Sequence, residues 1–252
     1  MKVLTGSAVA ESLIPQEAFV ADLVRSVSRE LCNPLTSIKT AVKLLQMPHL
    51  KPTQRQHYLQ VIAQECERQN RLIQSLLELT TLNEIEHQQL SPIVIADFIP
   101  AIVSTYQPLA QEKGVMLAYT VPADLPLLWS VPLFLRKILV QLLDNALEAT
   151  PQGGRIWVTV QAPNPQTLLM EVRDTGIGIP AADLPRIFER FYRVGRPKNG
   201  GIGMGLTLVQ QLVRHLGGHI GVESQLGHGT TVRVQLPLQT ELQQKNSLSR
   251  DP

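Results

Sequence analysis

The chain has 252 residues, enough for one large or two modest domains, each with a core of its own. Lys and Arg number 23 against 21 Asp and Glu, a net charge of +2 with 17% charged residues, so no basic field nominates nucleic acid as a partner. Hydrophobic residues make up 44%, yet no run nears the roughly 18 apolar residues that span a bilayer; Cys32 and Cys66 are too few for a disulfide framework, and no signal-peptide pattern follows Met1, so a cytoplasmic protein is expected.

Val20, Val24, Val27, Leu31, Leu35, Ile38, Val42 and Leu45 step by 4, 3, 4, 4, 3, 4 and 3. That is 25 residues in seven steps, or 3.57 per step, which predicts one long amphipathic helix from Glu17 to Gln46. Pro34 removes a helical hydrogen bond and predicts a kink in the turn before it. Pro48 and Pro52 punctuate a turn, and a second helix is expected from Thr53 to about Leu82, with Leu59, Ile62, Cys66, Ile73, Leu76 and Leu79 on one side. An antiparallel hairpin of this kind leaves an apolar face uncovered, so a homodimer closed as a four-helix bundle is expected.

Polar residues from Asn83 to Gln89, then Ser91-Pro92, mark a domain boundary, after which the pattern becomes mixed. A helix is expected from Ala96 to Gln111, stopped at Lys113-Gly114, then strands Val115–Val121 and Leu127–Val131 and a helix from Pro132 to about Ala149. Strands Ile156–Val160 and Leu168–Val172 follow a turn at Pro151-Gln152-Gly153-Gly154. Between Asp174 and Gly205 the glycines leave room only for a short helix around Leu184–Phe191. A helix from Gly205 to Leu216 and strands Ile220–Ser224 and Thr230–Leu236 close the domain. The fold class is α+β, with an extension over 1–16, a helical hairpin over 17–86, a mixed domain over 92–238 and a polar, disordered tail over 239–252.

Three elements carry chemistry. Asp174-Thr175-Gly176-Ile177-Gly178 follows a strand and opens no helix, so it is not a dinucleotide fingerprint. It offers a carboxylate that can accept a hydrogen bond from an exocyclic amine, beside two glycines that admit a flat ring; taken alone, it reads more readily as an Asp-Gly turn. Gly200-Gly201-Ile202-Gly203-Met204-Gly205-Leu206 does open a helix, and freed backbone amides at a helix N-terminus bind anions. Arg186, Arg190, Arg193, Arg196 and Lys198 outnumber Asp183 and Glu189 by three in the preceding segment, the charge of a lid over phosphates or of an ordinary solvated loop. On the helix before these, Gln141, Asn145 and Glu148 form a polar stripe at i, i+4 and i+7 that needs partners, which a nucleotide with magnesium would supply.

Asp174-x-Gly176-x-Gly178, Phe188-Glu189-Arg190-Phe191-Tyr192-Arg193, Gly201-x-Gly203-x-Gly205-Leu206 and Asp144-Asn145-Ala146 resemble the glycine, phenylalanine and asparagine boxes of the ATP-binding domain of sensor histidine kinases. The wider superfamily includes gyrase, the ninety-kilodalton heat-shock chaperones and the mismatch-repair ATPases. The resemblance implies an α/β sandwich of the Bergerat type, with Asp174 bonding the adenine amino group, Asn145 ligating magnesium, Gly203 and Gly205 approaching the phosphates, and Thr230 near the adenine. It also implies that Glu148, Gly176, Gly178, Arg190, Arg193, Gly201 and Leu206 belong to the nucleotide site. The hairpin resembles the dimerisation and phosphoacceptor domain of the same family, which implies two-component signalling with the receiver domain of a response regulator.

The chain departs from that pattern twice. Ser28-Arg29-Glu30-Leu31-Cys32-Asn33-Pro34 has Arg29 where the family carries its acceptor histidine, and a guanidinium stays protonated with no lone pair to act as nucleophile. Glu30 resembles the residue that takes the imidazole proton, and Asn33 the residue that orients a water against a regulator's phosphoaspartate; Asn33 is equally a capping residue before Pro34. Gln141 stands where related kinases place Asn and the ATPases Glu. A glutamine can orient water or ligand but is no general base. The chain is expected either to serve as a degenerate kinase or phosphatase, or to act as a nucleotide-switched interaction module, with its input from another protein or an upstream region.

Overall fold

The computed structural model describes residues 4–5, 32, 34–47, 49–81, 90–194 and 203–238. The chain divides into two compact units, Val9–Ile85 and Met1–Ala8 with Glu86–Pro252. In the first unit, α1 covers 34–45 and α2 covers Pro52–Thr81. Cys32 is also helical, its carbonyl accepting from Thr36 Oγ1 at 2.9 Å. The expected helix start at Glu17 and the turn that Pro34 would kink lie outside the described residues. His49, in the connection between the helices, takes a positive φ of 73°.

The apolar stripe of α1 has two edges. Pro34 and Ala41 are buried and Ile38 and Leu45 half-buried, whereas Leu35 and Val42 remain 55% and 40% exposed. On α2, Tyr58, Ile62 and Glu65 are half-buried, while Leu59 and Ile73, fourteen residues apart (73 − 59), stay 53% and 47% exposed. Among the described residues each helix thus has one edge at least partly buried and the other, at heptad spacing, exposed.

The second unit is built on a six-stranded mixed sheet in the order β1-β7-β8-β6-β5-β3. Its strands are β1 (Leu4–Thr5), β3 (Met116–Thr120), β5 (Arg155–Asn164), β6 (Thr167–Asp174), β7 (His219–Gln225) and β8 (Gly229–Pro237). β3 and β5 run parallel and the remaining pairs antiparallel. Helices α3 (Ile95–Glu112), α4 (Pro132–Ala149) and α5 (Gly205–His215) supply the other layer. Alternation along β5 and β6 sends Ile156, Val158, Val160, Leu168, Met170 and Val172 into the core. Phe134, Leu135, Ile138, Leu139, Leu142 and Leu143 of α4 and Val209, Leu212 and Val213 of α5 are buried in the helical layer.

Three elements differ from the sequence reading; the short helix expected around Leu184–Phe191 is only a 3-10 turn over Leu184–Arg186. Ser91–Ile93, read as a boundary, is a short strand β2 paired antiparallel with β4 (Leu128–Ser130) in a separate two-stranded sheet. Pro92 is tolerated there because a two-stranded ribbon leaves every strand with an open edge. Leu4–Thr5, inside the expected extension, pairs with Val222 and Gly221 as the edge strand of the large sheet. Among the described residues no helix is long and apolar enough to cross a membrane.

Candidate nucleotide site

Asp174 is the last residue of β6 and only 6% exposed. Its Oδ1 accepts the Gly176 N–H at 2.7 Å and the Thr230 N–H at 3.2 Å, while Oδ2 accepts no hydrogen bond among the described residues. Burial raises the carboxyl pKa above its usual value, and the two backbone donors oppose that shift. A carboxylate held on one oxygen and open on the other is a one-point reader for an amine.

The surrounding turn is fixed by backbone contacts. A side chain at Gly176 would meet the Ala149 carbonyl oxygen at 2.6 Å, and Gly178, at φ 68°, lies directly against the Gln225 carbonyl. The Ile177 carbonyl accepts the Gly227 N–H at 2.7 Å. These glycines let the loop press onto the end of α4 on one side and the β7–β8 turn on the other. Ser224 completes the support: its Oγ accepts the Ile179 N–H at 2.8 Å, donates to Gly229 O at 2.9 Å and shares a hydrogen bond with Thr230 Oγ1 at 2.8 Å. Ser224 was not legible in the sequence, since it sits 50 residues from Asp174 (224 − 174) in an ordinary strand.

On α4, Gln141 and Asn145 are half-buried and Glu148 exposed. Neither amide has a side-chain hydrogen-bond partner among the described residues, the state expected of groups that await a ligand. The Gln141 side chain lies across Gly205, whose missing Cβ would stand 2.6 Å from Gln141 Nε2, so the stripe faces the first residue of α5. The α5 N-terminus has no side-chain cap from Met204 and no acidic residue in its first turn, and Arg214 and His215 stand in the last turn, a polarity suited to an anion at the helix start. The neighbouring Asp144 faces elsewhere, accepting the Tyr106 hydroxyl of α3 at 2.9 Å. Desolvation raises both groups' pKa values; for Asp144 the hydrogen bond from Tyr106 opposes the rise and nearby Glu148 adds to it. Lys113 at the end of α3 also donates to the carbonyls of Leu147 and, at 3.2 Å, Glu148, so α3 holds α4 at two points.

The segment after Pro180 is tied down at its base. Leu184 and Ile187 pack with Val222, joined by Ile179, Phe188 and Leu206. Thr207 Oγ1 donates to Phe188 O at 3.0 Å and Phe191 N–H to Gly203 O at 2.9 Å. Phe191 sits at φ 61°, a strained position for an aromatic residue, and Gly203 at 77°. Of the arginines counted in this segment, Arg186 pairs with Glu189 at 3.1 Å with its guanidinium 4.1 Å from the Tyr192 ring centroid, and Arg193 stands 3.7 Å from Glu148. Burial lowers the Arg190 pKa. Gly201, Arg196 and Lys198 lie outside the described residues, as do Arg29, Glu30 and Asn33.

The structure therefore brings Gln141, Asn145 and Glu148 of α4, Gly205 of α5 and Arg193 into one neighbourhood, and joins Thr230 of β8 to Asp174 beside the loop that abuts the end of α4. Among the described residues no three His, Cys, Asp or Glu side chains form a metal cluster. A hard cation held by one amide oxygen and by phosphates requires none, and the unpartnered Asn145 amide fits that role.

This is the fold of a histidine-kinase ATPase domain, in a chain that also carries a helical hairpin. The family of histidine kinase-, DNA gyrase B- and HSP90-like ATPases matches residues 130–240, and the His kinase A (phospho-acceptor) domain matches residues 20–85. The chain belongs to the sensor histidine kinases. It is 28% identical over 236 residues to the adaptive-response sensory kinase SasA of a Synechocystis species, covering 90% of this chain and 62% of the relative. It is 30% identical over 231 residues to the sensor histidine kinase WalK of Bacillus subtilis, covering 87% and 37%. The chain thus spans less than two thirds of the length of these relatives. Among solved structures, full-length ShkA in complex with AMPPNP aligns at 26% identity with a TM-score of 0.63, covering 87% of this chain and 46% of that one. Histidine kinase ThkA, solved in complex with the response regulator TrrA, shares the fold at 16% identity with a TM-score of 0.70, covering 89% and 63%.

Proposed function

We propose that this chain is the ATP-binding, homodimeric core of a two-component signalling protein whose own acceptor position has lost its nucleophile, so that it phosphorylates a histidine on another subunit or dephosphorylates a response regulator. The observation that carries the reading is Arg29 in Ser28-Arg29-Glu30-Leu31-Cys32-Asn33-Pro34, with the glycine, phenylalanine and asparagine boxes present elsewhere in the chain and Gln141 the one departure beside them. An arginine cannot attack a γ-phosphorus. The AMPPNP complex of ShkA and the regulator complex of ThkA support ATP and a receiver domain as the two partners.

In this reading Asp174 Oδ2 accepts the adenine amino group, which selects adenine over guanine because guanine presents a carbonyl at that edge. The phosphates lie at the α5 N-terminus beside Gly203 and Gly205, with Arg190 and Arg193 offsetting their charge. The Asn145 amide oxygen would hold magnesium, which neutralises charge on the transferred phosphoryl group. Gln141 orients water or ligand without acting as a base, which makes free hydrolysis slow. Asn33 orients the water that attacks a regulator's phosphoaspartate, and Glu30 stands beside the vacated acceptor position.

Gln141 and Arg29 together favour a second reading, an ATP-switched interaction module without phosphoryl transfer. One experiment separates the possibilities. The purified chain is incubated with γ-labelled ATP and magnesium, alone, with Arg29→His chain, and with a phosphorylated receiver domain. The proposal expects no acid-labile label on the chain alone, label on the Arg29→His chain, and faster loss of receiver phosphate than from the receiver by itself. Acid-labile label on the unaltered chain alone overturns it, and nucleotide binding with neither transfer nor phosphatase activity leaves the switch.

A further inference from the structure

We propose that Cys32 and Cys66 form a reversible disulfide across the seam of the homodimer, Cys32 of one protomer joining Cys66 of the other. The proposal rests on the homodimer reading above. Both thiols are exposed, and they are the only two cysteines in the chain.

Their heights match. Cys32 stands 13 residues before the end of α1 at residue 45 (45 − 32), and Cys66 stands 14 residues after the start of α2 at Pro52 (66 − 52). At about 1.5 Å per residue, each lies about 20 Å from the inter-helix connection, level to within about 2 Å. An antiparallel hairpin therefore sets both thiols in one layer.

Their directions point outward from their own hairpin. Cys66 falls midway between Leu59 and Ile73, seven residues from each (66 − 59 and 73 − 66), and all three are exposed. At 100° per residue this places Cys66 within about 20° of both, on the unpartnered edge of α2. Tyr58, Val61, Ile62 and Glu65, half-buried, mark the inward edge of α2. On α1 the exposed edge is Leu35 and Val42, with Pro34 and Ala41 buried on the other. Cys32, three residues before Leu35, lies about 60° round from it, on the side away from Pro34. When two copies close a four-helix bundle, each α1 gains the partner's α2 as its second neighbour, and the exposed edges become the contact. Going round α1 from its own α2 toward the partner's carries one from Pro34 through Leu35 to Cys32. The reverse hand of the antiparallel α2 carries one from Tyr58 through Ile62 to Cys66. Cys66 thus lies in the new contact and Cys32 beside it, at the same height.

A hydroperoxide is an oxidant small enough to reach Cys32 at the side of that contact. One thiolate attacks a peroxide oxygen, the O–O bond breaks and water or an alcohol leaves; the second thiol then displaces water from the sulfenic acid as the S–S bond forms. Two thiols are oxidised and one peroxide is reduced. Cys32 is three residues from Arg29 in sequence, so the link ties the bundle beside the degenerate acceptor position.

The full-length chain is held in reductant or treated with hydrogen peroxide, quenched with N-ethylmaleimide and run on a non-reducing gel. The expected result is conversion of most of the 27.9 kDa band to one of twice that mass, reversal by dithiothreitol, and loss of the doubled band in both Cys32→Ser and Cys66→Ser. Peptide mapping should find Cys32 linked to Cys66. A doubled band that survives either substitution, an oxidised 27.9 kDa band carrying the link within one chain, or no link at all overturns the pairing. Light scattering in reductant tests the frame beneath it. Dimers of the unaltered chain and both serine variants support it, whereas a 27.9 kDa monomer overturns the homodimer reading itself.

Discussion

Asp174→Asn separates the cost of a buried carboxylate from its use. Asn Oδ1 can take over both backbone donors that Asp174 Oδ1 now holds, Gly176 N–H at 2.7 Å and Thr230 N–H at 3.2 Å. What changes is the other atom, which becomes an N–H donor in place of an open acceptor. Because burial raises the folded carboxyl pKa above the unfolded value of 3.8, the folded chain binds this proton more tightly than the unfolded chain. Stability from this group therefore falls as pH rises through that window, and at pH 7 ionised Asp174 works against folding. The asparagine variant should unfold at the same or a higher urea midpoint than the parent at pH 7. Nucleotide binding should move the other way. A hydrogen bond to a charged acceptor contributes about 1.5–3 kcal/mol, so its loss weakens ATP binding by roughly 10- to 150-fold, and opposed N–H donors weaken it further. Discrimination against GTP should narrow as well, because an amide N–H can donate to the guanine carbonyl. Titration calorimetry with ATP and GTP, beside urea melts, reads all three. ATP affinity within twofold of the parent, with the fold intact, would refute the assignment of Asp174 as the adenine reader.

Gly178→Ala places a Cβ against the Gln225 carbonyl at a φ of 68°, and should cost at least about 2 kcal/mol in chemical denaturation because neither backbone can yield. Gly205→Ala meets only the movable Gln141 side chain; it should leave the urea midpoint nearly unchanged yet weaken nucleotide binding, and adding Gln141→Ala should restore part of that loss in a thermal-shift titration. Tyr106→Phe removes the hydroxyl that opposes the raised Asp144 pKa, and should destabilise the chain by about 1 kcal/mol at pH 7 and by less once pH falls below 3.8, under the raised pKa, where the carboxyl is mostly protonated. Equal losses at the two pH values would show that Asp144 does not ionise against Tyr106. Asn145→Ala should reduce the extra thermal shift that magnesium adds to ATP while leaving the magnesium-free ATP shift in place.

Secondary structure in the second unit was largely legible because its elements are long and strongly patterned. Alternation in Ile156-Trp157-Val158 and Leu168-Leu169-Met170 and the Pro132 start of α4 each impose one local conformation. β2 escaped notice because three residues carry no periodicity, and its Ser-Pro start reads as punctuation. The heptad edges of α1 and α2 were visible only as a single apolar face, since periodicity gives a stripe's direction and not which edge its neighbour covers.

Residue chemistry along the chain settled which groups could bind a nucleotide: one carboxylate after a strand, glycines opening a helix, amides striping another, and an arginine where a nucleophile would stand. Those are properties of side chains and of local backbone freedom, and they are written in order. Only the tertiary structure decided what each group faces. Asp174 Oδ1 is taken by Gly176 and Thr230 while Oδ2 accepts no hydrogen bond among the described residues, Asp144 turns to Tyr106 while its neighbour Asn145 does not, and Ser224 braces the loop from a strand far along the chain. Such assignments depend on strand register and on the rotation of α4 against α3, and both are set by long-range packing that no local window of sequence contains.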